Sequence, residues 1–347
     1  MTGLNMTLQI GTTRLYLLFI VALLLATACS KDEPLNNSPV ADFAFNEILD
    51  ELFLYDRSYD PDGDQLTYRW SINPATVLLS NTERPNVYFQ IPMLENPKDI
   101  TVSLTVSDGK AESEIQKTLT LPVLNQVRSY GLGMHCTSEK SNNVGYKWYI
   151  DQAHTGPLSN INCGPAAATM AIKWADSTFT RTAEEARNMY PSGGGWWYTS
   201  TIINYLNYSG VGNYVLGLSG LNVLTREIDH GNIVILCLDM YFISNHQRNR
   251  WRVDKFYHTG NSGWGHFIVV KGYKLVDDKL FLEAYDPYGF GQTYDDGSPK
   301  GLDRYYRGED IQQSASLWWN YAIIVTRDPA KTQPGLDVSA IPHKWGG

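Results

Sequence analysis

Two rhythms of apolar and polar residues divide the chain. Between about Ser38 and Pro122 the period is two. Thr101-Val102-Ser103-Leu104-Thr105-Val106 alternates, turns at Asp108-Gly109 and resumes through Ile115, Leu119 and Leu121. Leu66-Thr67-Tyr68-Arg69-Trp70 repeats the pattern after the turn-rich Ser58-Tyr59-Asp60-Pro61-Asp62-Gly63-Asp64. Such a period puts one face on a core and the other in water, so these runs predict an antiparallel β-sandwich. After Pro122 helical and strand patterns alternate. Pro165 suits a first helical turn, and Ala167, Met170, Ala171 and Trp174 share one face of the helix that follows. Thr182 to Tyr190 predicts a second helix, with Thr182 as cap and Glu184-Glu185 in its first turn. Thr199 to Tyr208 predicts a third, and Leu224 to His230 a fourth, stopped by Gly231. Ile233 to Leu238 reads as a buried strand. Trp264 to Tyr273 and Leu280 to Tyr285 read as the arms of a hairpin that turns near Val276 to Asp278. The pattern predicts a multidomain chain, all-β over 38–122 and α+β over 123–347.

Composition narrows this picture. The 347 residues are 43% hydrophobic and 18% charged, which suits ordinary globular cores. A net charge of −8 without a basic stripe argues against a nucleic-acid partner. Aromatic residues make up 12% and gather mainly in the second half, where they pack cores or line grooves. Trp196-Trp197-Tyr198, after Ser192-Gly193-Gly194-Gly195, fits either role.

The amino end is a different kind of segment. Leu15 to Ala28 is apolar, follows Arg14 and ends in Ala26-Thr27-Ala28-Cys29. It is short for a membrane span and has the parts of a signal peptide, here residues 1–28, with 29–37 as a linker. A cysteine directly after small residues resembles a bacterial lipobox, which implies that Cys29 is lipidated and anchors the chain to a membrane. Ser30-Lys31-Asp32-Glu33-Pro34 resembles the acidic stretch that sends some Gram-negative lipoproteins to the cell surface. The resemblance implies a cell-envelope, outer-membrane lipoprotein.

Without Cys29 three cysteines remain, an odd number that argues for a free thiol. Cys237 lies in an apolar strand pattern, and Cys136 follows His135 in a polar stretch read as a loop. No His-x-x-x-His or Cys-x-x-Cys spacing occurs, so neither a metal nor another cofactor is expected. Cys163 stands at the amino end of the first helix, where unpaired N–H groups and the helix dipole favour a thiolate. The hairpin register brings His266 and Asp286 to nearly opposite positions. A carboxylate there would fix the tautomer of the imidazole and support its charged form.

Cys163, His266 and Asp286 follow the papain-superfamily order. Asn162-Cys163-Gly164-Pro165-Ala166-Ala167, Gly265-His266-Phe267-Ile268-Val269-Val270-Lys271-Gly272-Tyr273 and Asp286-Pro287-Tyr288-Gly289 resemble the bacteriocin-processing (double-glycine leader) peptidases. The likeness runs from roughly Val127 to Arg327. It implies a papain-like fold, a Cys-His-Asp triad, a peptide or protein substrate, and a glutamine before the cysteine that donates to the oxyanion. Gln152 is that candidate, although it stands further ahead of the cysteine than in transporter-linked members; Asn160 and Asn162 are fallback donors. In the first region the Asp-Pro-Asp-Gly-Asp run, Tyr68-Arg69-Trp70 and the late Val-x-Asp-Gly resemble the polycystic-kidney-disease-type (PKD), immunoglobulin-like repeat. Ser71-Ile72-Asn73-Pro74 departs from its usual Phe-Gly-Asp-Gly. Asp60, Asp62 and Asp64 could then bind calcium or simply shape a turn. The expectation is a lipid-anchored cysteine peptidase. The alternatives are a thiol amidase or acyltransferase on cell-wall peptides, and an inactive peptide- or glycan-binding lipoprotein.

Overall fold

The computed structural model describes residues 35–75, 79–189, 195–246 and 248–332. The signal segment 1–28, Cys29, residues 30–34 of the linker and Ser192-Gly193-Gly194 lie outside the described residues.

Six strands make up the N-terminal region: β1 (Phe43–Ile48), β2 (Glu51–Asp56), β3 (Thr67–Asn73), β4 (Asn86–Gln90), β5 (Lys98–Ser107) and β6 (Glu112–Leu121). They form two sheets, ordered β1-β2-β4 and β3-β5-β6. In β5 the alternation buries Ile100, Val102, Leu104 and Val106, and Trp70 of β3 sits opposite Leu104. The rings of Phe43 and Trp70 meet edge to face at 5.2 Å, one from each sheet. In β2, Leu52 and Leu54 are buried while Phe53 and Tyr55 face outward, so apolar residues on both faces mask the period of two. The carboxylate of Asp60 accepts the Asp62 and Asp64 N–H groups at 2.8 and 3.2 Å, and Asp64 pairs with Lys110 at 2.9 Å. Asp62 accepts from Asn37. These carboxylates shape a turn, the second of the two roles considered for them.

The C-terminal region runs α1 (Gln126–Ser129), β7 (Cys136–Ser141), α2 (Cys163–Ala175), α3 (Ala183–Met189), α4 (Thr199–Tyr208), β8 (Gly212–Gly217), α5 (Asn222–Asp229) and β9 (Ile233–Asp239). It continues through β10 (Gly265–Val276), β11 (Lys279–Tyr285), β12 (Arg304–Arg307), α6 (Gly308–Leu317) and β13 (Tyr321–Thr326). The strands form one sheet in the order β12-β11-β10-β9-β13-β8, with β7 paired to the far half of β10. β9 is buried at every position because both sheet faces are covered, which explains its unbroken apolar run. Ile233, Ile235, Cys237, Phe267 and Val269 pack with α2. Val234, Leu236, Ile268 and Val270 pack with α5 and α6.

α2 is buried from Cys163 through Ile172 and again at Trp174, far beyond the single face predicted for it. The sheet strands β9, β10 and β13 and the helices α3 and α4 all pack against it. Burying Met170, Ile172 and Trp174 stabilises the packing by about 1.5–3 kcal/mol each. Thr182 caps α3 as expected. Its hydroxyl takes the Glu185 N–H at 3.1 Å and Glu185 returns to the Thr182 N–H at 2.7 Å, a capping box.

The β10–β11 hairpin turns at Asp277-Asp278, both at positive φ. Its pairing runs from Val276↔Lys279 to Gly272↔Glu283, slips by one at Lys271, and continues to Val269↔Tyr285. Cys136 is an exposed strand residue rather than part of a loop. All of β7 is exposed and polar, so pairing with β10, not an apolar pattern, makes it a strand.

Candidate active site

Three elements converge on the site. Asn162 precedes α2, and the Ala166 N–H closes the first helical turn on the Asn162 carbonyl at 3.0 Å, which leaves Cys163 as the first helical residue. Gly164 is required next to it, because a Cβ there would lie 2.6 Å from the Cβ of Trp197. His266 is the second residue of β10, held opposite Leu238. Asp286 leaves the end of β11, its N–H bonded to the Gly301 carbonyl at 2.9 Å.

His266 and Asp286 are 2% and 0% exposed, and Nε2 of the ring lies 2.6 Å from the Asp286 Oδ1. That contact engages one ring nitrogen, and the Cys163 thiol lies within electrostatic reach of the imidazole. Burial pushes the thiol up, but the His266 hydrogen bond and charge, with the Phe267 and Gly164 N–H groups, outweigh it and leave the pKa lowered. Burial likewise opposes the imidazolium, yet Asp286, through charge and hydrogen bond, and Cys163 raise His266 to about 10. Asp286 is lowered against the cost of burial by His266, the Tyr306 hydroxyl and the Tyr288 N–H. Each of the three shifts favours the charged form of its group.

Two partners of Asp286 have no local signal in the sequence. Its Oδ2 accepts from the Tyr257 hydroxyl at 3.0 Å and from the Tyr306 hydroxyl. With the Tyr288 N–H on Oδ1 at 2.8 Å, the carboxylate is enclosed by donors. Tyr257, Trp264 and Tyr288 ring the imidazole, with centroids 5.8–6.2 Å from it, and screen the His–Asp contact from water. Gly289 is needed in the adjoining turn because the Asp151 carboxylate and Tyr149 hydroxyl would meet a Cβ at 2.4 and 2.8 Å. Asp151 accepts the Phe290 and Gly291 N–H groups at 3.0 Å each.

Gln152 is buried beside this constellation, its N–H bonded to the Pro287 carbonyl at 2.8 Å. Its Nε2 donates to the Ser159 carbonyl at 2.9 Å, which leaves one amide hydrogen for another acceptor. No hydrogen bond among the described residues joins Gln152 to Cys163. Asn162, a fallback oxyanion donor by sequence, is not free to act. Its Nδ2 serves the Thr155 carbonyl at 2.9 Å and hydroxyl at 3.0 Å, and its Oδ1 takes the Arg187 Nε–H at 2.6 Å. Asn160 is exposed. Trp197 belongs to the core, whereas Trp196 and Tyr198 are exposed. Cys237 is buried, its thiol pushed well up by burial and by the nearby Cys163 charge. No group of three or more His, Cys, Asp or Glu among the described residues is arranged to hold a metal ion. No described helix is long and apolar enough to cross a membrane.

Residues 146–310 match the Peptidase C39-like family, an interval that contains Gln152, Cys163, His266 and Asp286. A C39-like peptidase from Bacillus anthracis aligns with 55% of this chain and 98% of its own length, at 15% identity and a TM-score of 0.35. For the first region, the PKD1 domain of Vibrio anguillarum Epp aligns at 24% identity, covering 26% of this chain and 99% of the domain, with a TM-score of 0.22. The PKD1 domain of the Vibrio cholerae metalloprotease PrtV aligns at 21% identity over 25% of this chain and 99% of its own, with a TM-score of 0.21. No curated protein matches the chain. The chain is multidomain: a strand-rich region with PKD neighbours, then a mixed α/β region that matches a peptidase family.

Proposed function

We propose that residues 123–347 form a cysteine peptidase domain that acts on peptide or protein substrates. The sandwich over 38–122 and a lipid anchor on Cys29 would hold it at the cell envelope. The observation that carries this reading is the 2.6 Å contact between the His266 Nε2 and Asp286, with Cys163 at a helix amino end and its thiol pKa lowered by His266. His266 draws the thiol proton and the sulfur attacks a carbonyl carbon. The oxyanion falls to the Cys163 N–H, one of the first-turn donors that have no intrahelical acceptor, and to the remaining amide hydrogen of Gln152. Each such donor is worth about 3–4 kcal/mol in the transition state. His266 then gives its proton to the leaving amine, and water releases the acyl group from sulfur.

A peptide library incubated with the protein tests the reaction class. Defined cleavage products that vanish in Cys163→Ala are expected. Turnover of muropeptides with no cut in any library peptide would instead assign the site to cell-wall amide chemistry. The anchor is tested apart from the chemistry: Cys29→Ala is expected to move the protein from the membrane to the soluble fraction and to end incorporation of a palmitate analogue. Unchanged fractionation would remove the anchor.

A further inference from the structure

Arg187, on α3, is 4% exposed, and its guanidinium makes three hydrogen bonds to neutral oxygens. Nε donates to the Asn162 Oδ1 at 2.6 Å, Nη1 to the Gly195 carbonyl at 2.6 Å, and Nη2 to the Ile161 carbonyl at 3.1 Å. Its plane also lies 5.9 Å from the Trp197 ring. Glu184, one turn earlier on the same helix, turns away to cover Gly156. No carboxylate forms an ion pair with Arg187 among the described residues. A desolvated cation without an anion is costly, and hydrogen bonds to carbonyls only partly offset that cost. The fork grips the two residues immediately before Cys163. Asn162 passes the grip on through its Thr155 contacts, and the Thr155 hydroxyl donates to the Gln152 carbonyl at 2.6 Å. Both candidate oxyanion donors, the Cys163 N–H and Gln152, therefore hang from one chain of bonds that ends at Arg187.

We propose that Arg187 is a positioning residue for the thiol chemistry: it fixes the backbone that carries Cys163 and adds a second positive charge, beside that of His266, to the surroundings of the thiolate. The proposal rests on the peptidase reading above. The guanidinium holds the two residues before Cys163, so its positive charge lies beside the loop that leads to the anion formed when Cys163 ionises. Burial lowers the pKa of Arg187, and the Cys163 charge is what opposes that lowering. His266 on β10 and Cys237 on β9 are further ionisable groups near the thiol, and burial and the Cys163 charge push Cys237 well up.

The test compares wild type, Arg187→Met and Arg187→Lys by the pH profile of Cys163 alkylation with iodoacetamide, by kcat and KM, and by thermal melting. Arg187→Met is expected to raise the alkylation midpoint by about one pH unit, a tenfold slower reaction on the acid side, and to lower kcat with KM unchanged. Arg187→Lys keeps the charge but loses the fork, so it should restore the midpoint while kcat stays about tenfold low. A folded Arg187→Met with the wild-type alkylation profile and merely a lower melting temperature would overturn the proposal. If Arg187→Met does not fold, Arg187→Lys decides, and an unchanged kcat there overturns it too. A wild-type midpoint in the ordinary thiol range would sink the peptidase reading itself, and this proposal with it.

Discussion

Cys163→Ala and His266→Ala are each expected to lower kcat/KM for amide cleavage by about 10⁴- to 10⁶-fold, and the double variant by little more than the worse single one. The reason is that, in the proposed reaction, the two groups perform one event. A thiol whose proton has no acceptor is a weak nucleophile at neutral pH, and an imidazolium facing a methyl group has nothing to activate. His266→Ala should also slow alkylation of Cys163 near pH 6, since the hydrogen bond and charge that hold the thiol's pKa down go with the ring. Both variants should keep the far-ultraviolet circular dichroism of the parent. His266→Ala leaves Asp286 with the Tyr257 and Tyr306 hydroxyls and the Tyr288 N–H as donors. A loss below tenfold in either folded variant would take that residue out of the reaction.

Asp286→Asn should move the pH profile more than any other single change. In the wild type the pair is expected to be active between two titrations. Activity rises as Cys163 deprotonates below its usual range, and it falls as the pH passes through about 10, where His266 gives up its proton. Asparagine keeps an acceptor toward the ring but removes the charge that contributes most to raising His266, so the alkaline limb should fall toward the ordinary imidazole value of about 6.5. The neutral-pH loss in kcat should be about 10²- to 10³-fold, less than the 10⁴ of a serine triad, because a thiol is already acidic. Stability follows the same charges. His266, raised in the folded state, contributes fully below its unfolded pKa of about 6.5, and that contribution disappears as the pH rises toward 10. Asp286, lowered in the folded state, contributes above its unfolded value and loses that contribution on acidification through its folded pKa. An alkaline limb unmoved in Asp286→Asn would show that the carboxylate does not set the proton affinity of His266.

Much of this constellation is legible in the sequence because its signals are local. Cys163 is marked by the Gly-Pro that starts its helix, and His266 and Asp286 by a hairpin whose two-residue turn fixes which positions meet. Tyr257 and Tyr306 are not legible. Each reaches Asp286 from a separate segment, across 29 and 20 residues of chain, and nothing near either tyrosine points there. Arg187 reads as an ordinary basic residue near a helix end, and only the tertiary structure shows that its helix packs against α2. Asn162 illustrates the opposite failure: a polar residue beside Cys163 suggests chemistry, whereas its whole amide is spent holding the loop. In the sandwich, β3, β5 and β6 show a clean period of two. β2 hides it, because Phe53 and Tyr55 put apolar side chains on the outer face as well.

The strand that carries His266 has neighbours bonded on both of its edges, β9 on one and β11 on the other, and both covered faces of the sheet press on it. Amide protons of Phe267 to Val270 should therefore be among the last to exchange with solvent, released only when the domain opens as a whole. Warming would then thin the population of active molecules without first loosening the survivors, and the loss of turnover should track the loss of folded protein degree for degree.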